Sequence, residues 1–395
     1  MKKKLLFVIP SLEAGGGEKS LVNLLSQIDY SQYQVDLLLF KESGIFLPSI
    51  PAHVKIIGLQ ESYQLFILTL FSSVRKFVMK KQFQLAYARI AYSASNRLLK
   101  NKAYSEQVSW KFISKSLNFL DKEYDAAIGY LEKSSIYFIV DKVKANKKIG
   151  WIHTNYSSSG LNKDYDNPFF EKLDHIITVS EECAVSLKET FSTCREKIKV
   201  IQNIVSPAAI LKLADQRTAS TEKSNEQIKI VTVGRLSHEK GIDLAIQACM
   251  RLIERGYKVK WEVLGEGPER EKLEKLIELS NLEKNFFLLG VKDNPYPYIK
   301  EADIYVQPSR YEGKSIAIDE AKILGKPIVV TNFDTAKDQI STGINGLIVE
   351  KSVEGICNGI ERLTENKELL AYITRNLSAE RLGTEEEIKK LYKLI

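Results

Sequence analysis

Thirteen short apolar runs, spaced by amphipathic segments, constrain this 395-residue chain more than any other feature. Seven fall in the first half, at 5–9, 35–40, 54–59, 126–130, 149–153, 175–179 and 200–203. Six follow at 228–233, 260–264, 286–289, 304–307, 328–331 and 347–349. Short apolar runs alternating with helix-like stretches are the pattern of a parallel sheet covered on both faces. Between the two series, 206–227 is polar, charged and without aromatics, and reads as an interdomain linker. The chain is also longer than one hydrophobic core usually supports. The expectation is an α/β architecture of two doubly wound domains, 1–205 and 206–375, with a helical tail over 376–395. Open parallel sheets take ligands outside the carboxyl ends of their strands, so two such domains are expected to face each other across a cleft.

Composition narrows the function classes. The hydrophobic fraction of 44% is that of a soluble globular protein. Cys183, Cys194, Cys249 and Cys357 are scattered without C-x-x-C spacing, which argues against a disulfide framework or a structural zinc site. The opening Met1-Lys2-Lys3-Lys4 and the apolar run behind it fit the outline of a signal peptide. Pro10 interrupts that run and glycines lead into a helix-like 20–25, so strand, loop and helix is the preferred reading, and the expected location is cytoplasmic.

Charge is concentrated. Residues 63–120 hold ten Lys or Arg against the single Glu106, a surplus larger than the +7 of the whole chain, among many apolar and aromatic side chains. Basic, apolar helices suit the surface of an anionic bilayer, where each cation contributes about 1 kcal/mol. The uncharged run before Arg75 is shorter than the ~20 residues that span a membrane. Peripheral contact at the inner face of the cell membrane is therefore expected, the alternative being a helical insertion whose apolar side covers the sheet. Nucleic acid is a weaker partner, since no binding module accompanies the charge.

Three motifs carry chemistry. In Ser309-Arg310-Tyr311-Glu312-Gly313-Lys314-Ser315-Ile316, Pro308 ends a strand and Glu312 lies in the loop before a helix. Unpaired N–H groups and a positive dipole end there favour an anion. Glu320, eight positions after Glu312, stands about two turns on, where a carboxylate suits both hydroxyls of a ribose. In Val233-Gly234-Arg235-Leu236-Ser237-His238-Glu239-Lys240-Gly241, Arg235 and Lys240 follow a strand. Fixed cations at that point favour the charge that develops on a departing nucleoside diphosphate. Gly15, Gly16 and Gly17 permit a tight turn close to a ligand. With Glu42 downstream they also imitate a dinucleotide fingerprint, yet Ser20 replaces its third glycine, and NAD binding explains neither later motif.

These blocks resemble the retaining glycosyltransferases of family 4, group 1, of the GT-B fold class. Further echoes are Trp151-Ile152-His153, Val179-Ser180-Glu181, Ile201-Gln202-Asn203 and Gly325-Lys326-Pro327. The resemblance implies two Rossmann-like domains, the second binding a nucleotide-sugar, with the last helix returning to the first. It implies transfer of a hexosyl unit from a UDP-sugar to an acceptor hydroxyl, with retention, in synthesis of a capsule or exopolysaccharide, and the basic, apolar 63–120 region points to a lipid-linked glycan as that acceptor. Implied catalytic residues are Glu312, His153, Arg235 and Lys240. The implied donor set is Gly16, Gly17, Gly234, Arg235, Lys240, Glu312, Gly313, Lys314, Ser315, Ile316 and Glu320. Where many members have an aromatic or a second glycine after Glu-Gly, this chain has Lys314-Ser315.

No carboxylate pair is assignable as nucleophile and acid, so a same-face displacement is expected, in which the leaving phosphate takes the acceptor proton. No cofactor or metal is expected, because Lys240 and Arg235 supply the charge of one. Asp164-Tyr165-Asp166 matches a D-x-D metal pattern but precedes Asn167-Pro168 and reads as a turn. Two other readings are a nucleotide-sugar 2-epimerase and a non-catalytic scaffold. The basic insertion weighs against the first, and the intact cations and glutamates against the second.

Overall fold

The structure is a computed structural model, and it describes residues 2–216 and 227–395. By its contacts the chain divides into two compact units: Met1–Glu13, Gly17–Gln202 and Glu387–Ile395 form one, Ala14–Gly16 and Asn203–Glu386 the other.

The first sheet has seven strands: β1 (Lys3–Ile9), β2 (Tyr33–Leu39), β3 (Val54–Ile57), β4 (Glu123–Gly129), β5 (Lys144–Ile152), β6 (His175–Thr178) and β7 (Ile198–Val200). Its order is β3-β2-β1-β4-β5-β6-β7 and every pairing is parallel. The helices of this part are α1 (Gly16–Ser26), α2 (Glu61–Phe66), α3 (Leu70–Met79), α4 (Phe83–Leu98), α5 (Lys102–Ile113), α6 (Ser134–Lys142), α7 (Lys163–Phe170) and α8 (Glu181–Thr190). Leu5 to Ile9 are all fully buried, as a central strand covered on both faces requires.

The second sheet comprises β8 (Ile228–Val233), β9 (Val259–Leu264), β10 (Phe286–Leu288), β11 (Ile304–Gln307), β12 (Ile328–Thr331) and β13 (Leu347–Val349). Its order, β10-β9-β8-β11-β12-β13, repeats the doubly wound scheme, again wholly parallel. The helices are α9 (Pro207–Ala214), α10 (Ile242–Glu254), α11 (Arg270–Leu279), α12 (Tyr296–Glu301), α13 (Ile316–Ile323), α14 (Val353–Glu365) and α15 (Lys367–Ala379). Alternate strand residues feed two cores. Ile230, Trp261, Val306 and Val329 pack with α10 and α14, while Val231, Tyr305, Ile328 and Val330 pack with α9, α12 and α13. A fully buried side chain of this size contributes about 1.5–3 kcal/mol.

Twelve of the thirteen strands stand at the expected apolar runs, the seventh meets its run at Val200 alone, and the two Rossmann-like sheets are those the sequence implied. Three expectations need correction. The linker reading fails over 207–214, which is α9; its Ile210 and Ala214, four apart, lie in the second core. Pro207 at the first helical position is where proline starts a helix rather than breaking one. Residues 217–226 of that stretch lie outside the described residues. The seventh strand closes at Val200, although Ile201 still donates its N–H to Thr178 O at 3.0 Å. Asp164 and Asp166 lie in α7, capped by Asn162, rather than in a turn. Asp166 is buried and accepts hydrogen bonds from Tyr137 and Tyr156, a structural role.

The end of the chain is short of a long crossing helix. Residues up to Glu386 belong to the second unit, and Glu387–Ile395, with α16 (Ile388–Tyr392), belongs to the first.

Candidate active site

In a doubly wound sheet the crevice opens where the strand order reverses, at the carboxyl ends of the two strands astride that point. In the second unit those strands are β8 and β11. Gly234 and Arg235 leave β8, and Ser309 to Glu312 follow the end of β11, so topology brings both motif loops to one edge.

Their junction is close. Gly241, at φ +64, caps α10, and a Cβ there would lie 2.1 Å from Pro308 O. Only glycine permits that approach. Arg310 then stitches the loops: its N–H donates to Glu239 O at 2.7 Å, and its guanidinium to His238 O at 2.7 Å and to both oxygens of Asp243 at 2.8 and 2.7 Å. The hydrogen bonds that Arg310 donates to Asp243 raise the arginine's pKa. Burial pushes Asp243 up, but the bonds and charge of Arg310, its own backbone N–H and the charge of Lys272 together hold it below the usual carboxylate value.

Lys240 Nζ sits 2.7 Å from Glu312 Oε1 and 2.6 Å from Oε2, with side-chain exposures of 22% and 7%. Glu312 Oε1 also accepts from Ser309 Oγ at 2.7 Å and Gln307 Nε2 at 3.0 Å. The Tyr305 hydroxyl donates to Gln307 Oε1, which fixes the amide's orientation. Burial, then the charges of Glu312 and Glu320, push the Tyr305 phenol well up, so it stays a neutral donor. Glu320, on α13, is 1% exposed and accepts from Tyr296 Oη at 3.0 Å. Arg235 is exposed; its carbonyl accepts from Ser237 N–H at 3.0 Å, while its guanidinium makes no hydrogen bond or ion pair among the described residues.

The start of α13 corrects one expectation. Ser315 N–H, awaited as an open anion donor, is taken by Gln339 Oε1 at 2.9 Å, and Gln339 Nε2 returns to Ser315 O and Asp319 Oδ1. Gln339 thus fixes the loop, leaving the first turn from Ile316 to supply amide donors. Lys314 is nearly buried, 3.8 Å from Asp319. Glu312 O accepts from Thr335 Oγ1 at 3.1 Å, and Gly313 lies between these held residues.

In the first unit the reversal lies between β1 and β4. Gly17 opens α1 against their ends: a Cβ there would meet Leu131 Cδ2 at 2.7 Å and His153 Cγ at 3.7 Å, whereas Gly16 has open space. Ser20 Oγ lies 2.8 Å from Tyr130 Oη. His153 follows β5, its ring 4.9 Å from that of Tyr130 and stacked near Trp151. Its N–H and that of Thr154 donate to Glu132 Oε1 at 2.7 and 2.8 Å. His153 Nε2 is buried without a hydrogen-bond partner among the described residues, and burial lowers its pKa to about 3, so the imidazole is neutral.

Glu312, Lys240, Arg235 and Glu320 were visible in the sequence as a motif set. Gln307, Ser309, Arg310, Tyr296 and Gln339 were not: Arg310, Tyr296 and Gln339 matter through partners distant in the chain, and Gln307 and Ser309, close to Glu312, belong to no spacing that marks them as its holders. Arg310 beside the motif was the one available hint.

Residues 215–379 match the family described as Glycosyl transferases group 1. The poly(ribitol-phosphate) alpha-N-acetylglucosaminyltransferase of Staphylococcus aureus is 27% identical over 247 residues, 60% of this chain and 48% of that protein. The N-acetylgalactosamine-N,N'-diacetylbacillosaminyl-diphospho-undecaprenol 4-alpha-N-acetylgalactosaminyltransferase of Campylobacter jejuni is 29% identical over 217 residues, 54% of this chain and 57% of that protein. The chain spans about half the length of the curated relatives it matches. Among solved structures, Anabaena HepE in complex with UDP-glucose superposes with a TM-score of 0.68 at 17% identity, over 99% of this chain and 98% of that one. Residues 215–379 are therefore similar to the group 1 glycosyltransferase family, and the fold of the chain is GT-B, with two Rossmann-like units.

Proposed function

We propose that this chain transfers a hexosyl unit from a UDP-sugar to a hydroxyl of a lipid-linked glycan, with retention at the anomeric carbon, in cell-surface polysaccharide synthesis. The observation that carries this reading is the Lys240–Glu312 pair beside an exposed Arg235, at the carboxyl edge of β8 and β11. An arginine fork grips a diphosphate in two places and a lysine adds a mobile point charge. Both act more strongly as the phosphate leaves than before, which is what accelerates the step.

In this scheme Glu312 Oε2, whose partner among the described residues is Lys240 alone, orients the sugar hydroxyls. Glu320 and Tyr296 receive the ribose. Gly234, Gly313, Lys314, Ser315 and Ile316 line the donor, and the family resemblance is what implies a part in the reaction for Gly16, Gly17 and neutral His153. The leaving phosphate takes the acceptor proton on the face it departs from. Cation and amide donors carry the charge, so metal is not required. HepE binds UDP-glucose, which supports a UDP donor, and the name of the Campylobacter relative, a diphospho-undecaprenol glycosyltransferase, supports a lipid-linked acceptor. The basic 63–120 region supplies the membrane contact at the inner face.

Nuclear magnetic resonance of the product tests the reading. An α-configured donor should give an α-linked product, with EDTA leaving the rate unchanged. A β-linkage, or a rate abolished by EDTA and restored by a divalent ion, would overturn it.

A further inference from the structure

The α3–α4 hairpin carries two apolar faces, and only one is used inside the protein. Inward, Phe77 and Ala86 form a satellite core with Phe66, and Arg89 locks it by lying over the rings of Phe66 and Tyr92 and donating to Leu68 O at 2.9 Å. Outward, Phe83, Tyr87 and Ile90 follow i, i+4, i+7 along α4, and Phe71 and Val78 are seven apart on α3. Phe71 is 79% exposed, Met79 71% and Tyr87 70%. These side chains cover neither the sheet nor the satellite core. Val78 and Met79 end α3 and Phe83 begins α4, so both rows run to the turn at 80–82.

Charge says what covers this face. Residues 67–98 contain no Asp or Glu. Arg75, Lys76, Lys81 and Arg97 are exposed and form no ion pair among the described residues. A second copy seated on it about a two-fold axis would set cation against cation. Lipid phosphates answer the charge, and acyl chains accept the aromatic and aliphatic groups while long basic side chains reach out to the headgroups.

We propose that the α3–α4 hairpin is a wedge seated in an anionic bilayer, with Val78, Met79 and Phe83 inserted and Arg75, Lys76 and Lys81 on phosphates. This deepens the membrane part of the reading above by naming the element and the mode, and is independent of the transfer chemistry. Flotation of the full chain with phosphatidylglycerol/phosphatidylcholine vesicles, and with phosphatidylcholine alone, tests it. The wild type should float with the anionic vesicles only. Val78→Ser/Met79→Ser/Phe83→Ser and Arg75→Glu/Lys76→Glu/Lys81→Glu should each lower the bound fraction by about tenfold or more, with circular dichroism and nucleotide-sugar turnover in solution unchanged.

Binding that survives both variants, or a folded wild type that ignores anionic vesicles, would overturn the wedge. So would light scattering that shows a dimer abolished by the apolar variant, because a second copy would then cover the face. Vesicle binding without turnover of any nucleotide-sugar would sink the transfer reading alone.

Discussion

Lys240 and Glu312 hold each other's charge where neither is well hydrated, and breaking such a pair by removing one partner costs about 3–5 kcal/mol when nothing else compensates. Here Gln307 and Ser309 remain on the carboxylate, so the loss of Lys240 should show in turnover more than in folding. Lys240→Ala is expected to lower kcat by about 10²–10³-fold, the range for one lost transition-state donor. A kcat within a factor of about two of wild type would contradict the assignment. His153 gives a pH signature. Its pKa falls from 6.5 in the unfolded chain to about 3 in the fold. Between those values the unfolded state binds more protons, so this contribution is full above the unfolded value and lost as pH falls below it. By ~pH 5 the loss approaches about 2 kcal/mol. In His153→Gln the urea midpoint should fall less between ~pH 7 and ~pH 5 than in wild type, and an equal fall would refute the burial argument. At this scale the sequence offered the motif residues themselves but not their holders. Asp243 stands 67 positions from Arg310, and nothing local marks that pair.

At the level of elements, the apolar runs were the legible part, because a strand buried on both faces has to be written in consecutive hydrophobic residues. What escaped was amphipathic or short. The helix α9 is a mere eight residues, PAAILKLA, and runs into a polar stretch, so its two core residues were read with the linker, and β7 ends early once Ile201 has spent its last ladder bond on Thr178. The D-x-D stretch looked like a turn because Pro168 follows it, yet Asn162 capping carries the helix through the proline. The meeting of the two motif loops was equally invisible, although the Gly241 that permits it was in plain view. Gly241→Ala forces a side chain into the left-handed region and against Pro308 O, and should cost about 1–3 kcal/mol in a denaturant titration. An unchanged midpoint would mean that the loops can part without loss.

For the molecule as a whole, the last residues of the chain close the first unit. Leu391 is fully buried, Tyr392 stacks on Tyr33 with centroids 4.8 Å apart, and Asp29 N–H donates to Tyr392 Oη at 2.8 Å. Gln202 N–H donates to Glu387 Oε2 at 2.9 Å. Tyr392→Ala should destabilise this unit by about 2–3 kcal/mol, somewhat less than truncating a fully buried aromatic. Hydrogen exchange should then quicken in β1 and β2 and not in β8 to β13; equal quickening in both sheets would contradict this. The two sheets could be foreseen because two series of strands were written in the chain, while this closing contact depends on a tyrosine stack no spacing announces.

The central claim is that the edge of β8 and β11 works on a nucleotide-sugar. Nucleotide release from a panel of UDP-, GDP- and ADP-sugars, with and without a lipid-linked acceptor extract and with EDTA present, tests it most directly. The expected result is release from one UDP-sugar that requires acceptor and persists in EDTA. No release and no binding with any nucleotide-sugar, from protein shown to be folded, would contradict it.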